Sequence, residues 1–180
     1  MTTKININGK ISDEASISIF DHGFLFGDSI YEVVCTSRGK PCFLDEHLNR
    51  LYESASGISL KIPNTPKKLK EQIQITLDSA GNYESYIRII VTRGVGEVDI
   101  DPSSCFNPNI IIFVRDIPKI PDESYRKGVS IALVSIKRNS RDSLNPAVKT
   151  GNYLNNVLAK IEAKKMGAED AIMVLSLIHI

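Results

Sequence analysis

The sequence predicts an α+β protein of two lobes, and three observations point there. Segments with alternating apolar residues fill much of the chain before residue 117. Two segments of helical periodicity interrupt them. A polar, proline-marked stretch, "RDIPKIPDESYRKG" at 115–128, then precedes a second series of strand, helix and strand. This places a first lobe at 1–117, a linker at 118–127 and a second lobe at 128–180.

The elements follow in order. "KININGKI" alternates and contains Asn8-Gly9, a strong hairpin signal. "ASISI" repeats the alternation and reads as another strand. "SIYEVVCTSRGKPCFL" reads as two strands joined at Arg38-Gly39. In "DEHLNRLYESASG", Asp45 is placed to cap a helix whose apolar stripe is Leu48, Leu51, Tyr52 and Ala55, with Gly57 as its stop. In "NTPKKLKEQIQITLDSAG", Thr65 is the expected N-cap, Pro66 fits the first helical position, and Gly81 ends a helix with Leu69, Ile73, Leu77 and Ala80 on one face. "SYIRIIVTRG" and "NIIIFV" are rich in β-branched residues and read as strands. The long connection between them, "VGEVDIDPSSCFNP", is of a length often given to function. After the linker come a strand in "GVSIALVSIK", a helix in "TGNYLNNVLAKIEAKKMG" with Leu154, Val157, Leu158 and Ile161 turned inward, and a strand in "DAIMVL".

Charge narrows the partners. The 180 residues carry 22 basic and 21 acidic side chains, so nothing favours nucleic acid or an anionic membrane as a partner. "MTTKININGK" lacks the apolar core of a signal peptide, and no run of about 18 apolar residues exists to span a membrane. Cys35, Cys42 and Cys105 form no C-x-x-C pair. Cys35 and Cys42 flank a hairpin and can face each other, although two reduced core thiols in a cytoplasmic protein is the simpler reading. His22, His47 and His179 lack metal-ligand spacing, so no metal is expected.

Several residues can carry chemistry. Lys149 stands in "NPAVKTGNYLNN" between a proline-marked loop and a helix, a boundary that can aim an amine into a cleft. A surface lysine is the competing reading. Arg50 lies off the apolar stripe of its helix. It is either a solvated arginine or a fork that grips a phosphate. Arg88 alternates with Ile87 and Ile89, so in a central strand it must meet an anion, from the protein or from a substrate. Tyr86 shares its face. The glycine pair of "FDHGFLFGDSIYE" marks a tight turn or a phosphate loop but lacks nucleotide-site spacing.

Four ordered blocks carry a resemblance: "FDHGFLFGDSIYEVV", "LDEHLNRLYESA", "YIRIIVTRGVG" and "KTGNYLNNVLAKIEAKKMGAEDAIM". From about residue 4 to about residue 175 the chain resembles the class IV family of pyridoxal 5'-phosphate (PLP) enzymes. That family includes branched-chain aminotransferases, D-amino-acid aminotransferases and aminodeoxychorismate lyases. The resemblance implies PLP fold type IV, with an N-terminal antiparallel sheet and two helices before a PLP-binding second lobe that is incomplete here. It implies that Lys149 holds PLP covalently, that Arg50 binds its phosphate, and that Tyr153 hydrogen-bonds near the ring hydroxyl. Phe26 and Tyr31 match positions lining the substrate pocket. Tyr86 and Arg88 look like the Y-x-R strand with which branched-chain enzymes recognise a carboxylate. The loop "VGEVDIDPSS" lacks the arginine and histidine that D-amino-acid enzymes place there.

The implied reaction is transfer of an amino group from an L-branched-chain amino acid to a 2-oxo acid such as 2-oxoglutarate, in a cytoplasmic homodimer. A lyase, a D-amino-acid aminotransferase and an inactive fragment are the alternatives. The family continues beyond the strand that begins at Ala171 with a glutamate for the cofactor nitrogen. "AIMVLSLIHI" instead ends without a turn or polar close, and "SLIHI" departs from the family pattern. The expectation is a chain cut within its second lobe that binds PLP poorly and exposes apolar surface.

Overall fold

The computed structural model describes residues 3–175, so the "SLIHI" tail and His179 lie outside the described residues. The chain forms two compact units. One runs through Pro118 and takes in Val148–Gly151; the other holds Lys119–Ala147 and the chain from Asn152 onward.

The first unit is an antiparallel sheet with two helices on one face. β1 (Lys4–Ile7) and β2 (Lys10–Ser12) are the hairpin expected at Asn8-Gly9. Both turn residues have positive φ, 52° and 95°, as a two-residue hairpin turn of this hand requires. A short helix α1 (His22–Leu25) follows, capped by Asp21, and then β3 (Ser29–Ser37), the Arg38-Gly39 turn and β4 (Lys40–Pro41). The Glu84 carboxylate accepts from the Thr36 hydroxyl and the Arg38 N–H, each at 2.5 Å, and so clamps that turn. α2 (Leu44–Gly57) and α3 (Pro66–Ala80) come next. β5 (Ser85–Thr92) and β6 (Asn109–Asp116) complete the sheet, whose order is β2-β1-β6-β5-β3-β4.

Strand parity divides the sheet into two faces. Ile30 and Val34 of β3, Ile87, Ile89 and Val91 of β5, and Ile110, Ile112 and Val114 of β6 point toward the helices. They form one buried core with Leu48, Leu51, Leu69, Ile73 and Leu77. Fully burying side chains of this size contributes about 1.5–3 kcal/mol each. Thr65 accepts the Lys68 N–H and Gly81 closes α3, as the capping pattern predicts. The opposite face carries Tyr31, Val33, Tyr86, Arg88, Ile90, Phe113 and Arg115.

Two expectations for this unit are corrected. "ASISI" is not a strand. β2 is the sheet edge, and residues 15–19 pair with no strand among the described residues, leaving Ile17 and Ile19 exposed. Asp45 does not cap α2. The helix starts at Leu44 with Phe43 at its N-cap in a left-handed conformation, so Asp45 sits in the first turn, beside Lys70. A carboxylate there still favours the helix through the N-terminal dipole. The connection after β5 has local order: the Asp101 side chain caps a short 3-10 turn at Pro102–Ser104.

The second unit holds α4 (Asp122–Lys127), β7 (Ile131–Leu133), α5 (Leu154–Lys165) and β8 (Asp170–Ile172). α4 falls inside the stretch read as linker. β7 and β8 pair in parallel. The inward stripe expected for α5 is also corrected. Its buried residues are Ala159 and Ala163, which cluster with Ala132, Val134 and Ala168. Leu154, Val157, Leu158 and Ile161 are exposed. Two strands of three residues cover only the alanine face of the helix.

Candidate active site

The edge of β3 determines where Lys149 sits. β4 pairs only with Thr36 and Ser37, which leaves the Ser29–Tyr31 edge open. Residues 149–151 fill it. Tyr31 N–H donates to the Lys149 carbonyl at 3.0 Å, Gly151 N–H donates to the Ser29 carbonyl at 2.7 Å, and Ile30 and Thr150 form an antiparallel bridge. Lys149 N–H donates to the Ser54 hydroxyl of α2 at 3.2 Å. Lys149 thus lies in an extended segment, not at a helix start; α5 begins at Leu154. Thr150 is buried beside Ile30, so parity sends Lys149 to the face of Tyr31.

On that face three predicted residues meet. Lys149 Nζ lies 4.3 Å from the Tyr31 ring centroid, and the Arg88 guanidinium carbon lies 4.2 Å from it. The ring's negative faces attract both cations. Arg88 Nε is buried with no hydrogen-bond partner among the described residues. A buried donor in that condition costs free energy until an acceptor arrives. Tyr86 shares the face, stacked on Phe113 at 6.0 Å, with Arg115 5.3 Å from its ring centroid.

Arg50 lies on the helix side of the same strand. Its Nε and Nη2 donate to Glu32 at 2.5 and 2.7 Å, and His47 Nδ1 lies 2.8 Å from the same carboxylate. The Glu32 side chain is fully buried, whereas that of Arg50 is half exposed. Burial pushes the Glu32 carboxyl up. The hydrogen bonds and charges of Arg50 and His47 outweigh burial and hold it below its ordinary value.

Phe26 is part-exposed at the end of α1, its ring 5.0 Å from that of His22 and edge-on to it. The turn before it is fixed by Asp21, which accepts from Gly23 N–H, Thr92 Oγ1 and Asn109 Nδ2, each at 2.7 Å. Arg93 then ties Asp28 to the Ile58 and Ser59 carbonyls. Tyr153 belongs to the second unit. It precedes α5 and lines a groove of about 750 Å³ with Val157, Ile161, Ala171 and Met173.

The residues found only in the structure are Glu32, His47, Ser54 and Thr150. Glu32 had a signal. It stands between Ile30 and Val34 at core parity, and a carboxylate there calls for a cation, by the argument already applied to Arg88.

Around β3 the structure thus gathers an amine and a buried donor without a hydrogen-bond partner among the described residues at the Tyr31 ring, and a half-exposed guanidinium at Glu32 on the helix side, groups whose chemistry suits an aldehyde, a carboxylate and a phosphate. Comparison with known proteins gives the family. The sequence pattern described as "Amino-transferase class IV" matches residues 29–177. A protein of Methanocaldococcus jannaschii named "Putative branched-chain-amino-acid aminotransferase" is 41% identical over 172 residues, 94% of this chain and 59% of that protein. A D-alanine aminotransferase of Bacillus licheniformis is 30% identical over 173 residues, 95% of this chain and 59% of that protein. Among solved structures, a T.th. branched-chain amino acid aminotransferase complexed with N-(5'-phosphopyridoxyl)-L-glutamate superposes with a TM-score of 0.86 at 28% identity, covering 96% of this chain and 58% of that one. The chain therefore spans about 59% of the length of these curated relatives.

Proposed function

The chain belongs to the class IV aminotransferase family, and from that premise we propose that it carries core residues of a PLP site that moves the amino group of an L-branched-chain amino acid to 2-oxoglutarate. The observation that carries this reading is the meeting of Lys149 and Arg88 on the Tyr31 ring. It brings to one ring an amine and a buried donor that lacks an acceptor among the described residues.

In the first unit Lys149 would hold the cofactor's aldehyde and Arg50 its phosphate; Tyr153, in the other unit, is the residue the family resemblance assigns to the ring hydroxyl. When bound, PLP supplies the electron sink that makes the substrate α-carbon acidic. The rest is the protein's work. Arg88 and Tyr86 bind and orient the substrate carboxylate. Lys149 Nζ would hold the cofactor aldehyde and, when free, would take the substrate α-proton as general base and return a proton as general acid. Phe26 and the Tyr31 ring face an aliphatic side chain and exclude water from it. In the whole protein this site works within a cytoplasmic homodimer.

A second reading, a D-amino-acid aminotransferase, is favoured by the D-alanine relative. Against it, residues 95–104 contain neither arginine nor histidine. The test is to incubate the 180-residue chain with PLP, reduce with borohydride and map the labelled peptide. Label on Lys149, absent in Lys149→Ala, is expected; label spread over surface lysines sinks the reading. Amino transfer from L-leucine but not D-alanine to 2-oxoglutarate, assayed on a protein of the relatives' full length, decides the substrate.

A further inference from the structure

We propose that Glu32 is a positioning residue that aims the outer edge of the Arg50 guanidinium at a phosphate monoester, with His47 steadying the carboxylate. The proposal rests on the reading of Arg50 as the cofactor's phosphate ligand. Glu32 does not touch the ligand; it acts through Arg50.

The geometry separates two edges of one guanidinium. Glu32 takes the side edge, Nε and Nη2. Nη2 also lies 3.2 Å from His47 Nδ1, so it is Nη1, outside all of these contacts, that is left to lead toward a phosphate. The burial contrast points the same way. The carboxylate is fully buried under α2, while the guanidinium is half exposed, so one edge faces the protein and the other faces outward.

Stability alone does not ask for this arrangement. Position 32 lies between Ile30 and Val34 on the core face, where an apolar residue would pack without desolvating a charge. What the buried carboxylate adds is direction. An unheld arginine on a helix surface samples many rotamers and loses that freedom when it binds; a held one has lost it already. The carboxylate also opposes an incoming dianion. That opposition is reduced because its charge is shared among Arg50 Nε, Arg50 Nη2 and His47 Nδ1, and because it meets the edge away from the ligand.

The experiment has two arms on the 180-residue chain, with Glu32→Gln as the variant and circular dichroism as the control of fold. The first arm needs no cofactor. Nitrogen-15 relaxation and proton exchange of the Arg50 Nε–H are measured in the ligand-free protein. A rigid, slowly exchanging signal that becomes mobile in E32Q is expected; a signal equally rigid in E32Q, or mobile in both, overturns the positioning role. The second arm compares PLP with pyridoxal, which lacks the phosphate. E32Q is expected to weaken PLP about tenfold and leave pyridoxal unchanged. An equal loss for both ligands overturns the proposal. If the unaltered chain itself does not prefer PLP to pyridoxal, the reading of Arg50 as phosphate ligand falls and this proposal with it. The first arm still reports separately whether Glu32 holds Arg50. If E32Q unfolds, Glu32→Met, which fills similar volume without charge, carries the same comparison. Unfolding of both marks Glu32 as structural and overturns the proposal.

Discussion

Tyr31 engages Lys149 twice: its N–H holds the lysine carbonyl at 3.0 Å, and its ring lies 4.3 Å from the lysine Nζ. The backbone bond survives any substitution at 31, but the ring contact does not. Tyr31→Phe keeps the ring and should leave unfolding free energy within about 1 kcal/mol of the parent. Tyr31→Ala removes a buried ring and both cation contacts and should cost about 3–4 kcal/mol in urea unfolding. Equal stability of the two variants would contradict the ring's role.

Asp21 and Asn109 offer a swap. Asp21 Oδ2 accepts from Asn109 Nδ2, and Asn109 Oδ1 accepts from Asn8 Nδ2. Asp21→Asn sets amide against amide and should cost about 2 kcal/mol. Adding Asn109→Asp restores a donor–acceptor pair and still accepts from Asn8. A double-mutant cycle should therefore return about 1 kcal/mol of coupling, and additive losses would refute the network.

Gly94 has φ of 96°, and a Cβ there would overlap the backbone carbonyl of Asn107. Backbone strain and overpacking combine, so Gly94→Ala should lower stability by about 3 kcal/mol or more. A melting temperature unchanged from the parent would show that the connection between β5 and β6 adapts freely.

Glu32 predicts an acid response of defined sign. Its folded carboxyl lies below the ordinary value of 4.5. The stability it contributes is complete above the unfolded value and is lost as pH falls through the lower folded value. Urea midpoints should therefore drop more steeply with acidification below about pH 5 in the parent than in Glu32→Gln. The variant should already be weaker at about pH 7, by about 2 kcal/mol, because the partners of Glu32 lose the negative charge and one of its two acceptor oxygens.

α5 inverts the usual advice about apolar residues. Leu158→Glu, on the exposed stripe, should leave unfolding within about 0.5 kcal/mol and improve solubility. Ala163→Leu, on the buried face, should cost about 1–3 kcal/mol by overpacking. The reverse order would mean that the stripe is covered.

The contrast between elements explains what was legible. The Asn8-Gly9 hairpin and the Thr65–Gly81 helix announce themselves because local chemistry alone decides them. "ASISI" fails because alternation states a capacity to pair, and the edge at β2 supplies no partner. The α5 stripe fails because periodicity finds a face without naming what will cover it. At the site, Arg88 stands out as a charge between Ile87 and Ile89, whereas Lys149 is singled out by the ordered blocks around it and not by its immediate neighbours. Ser54 was invisible, because it acts on Lys149 from 95 positions away in sequence.

That separation has a kinetic side. Val148–Gly151 joins a sheet whose other members lie before Pro118. Closing so long a loop adds little to its equilibrium cost, since the entropy grows only with the logarithm of length. It does impose an order of events, because distant pairings form slowly. The platform of β3 and α2 has to exist before the strand edge can receive residues 149–151. The expected consequence is that the amine docks late, onto that platform. A pulse-labelling experiment should find the Tyr31 amide protected after those of β5 and β6.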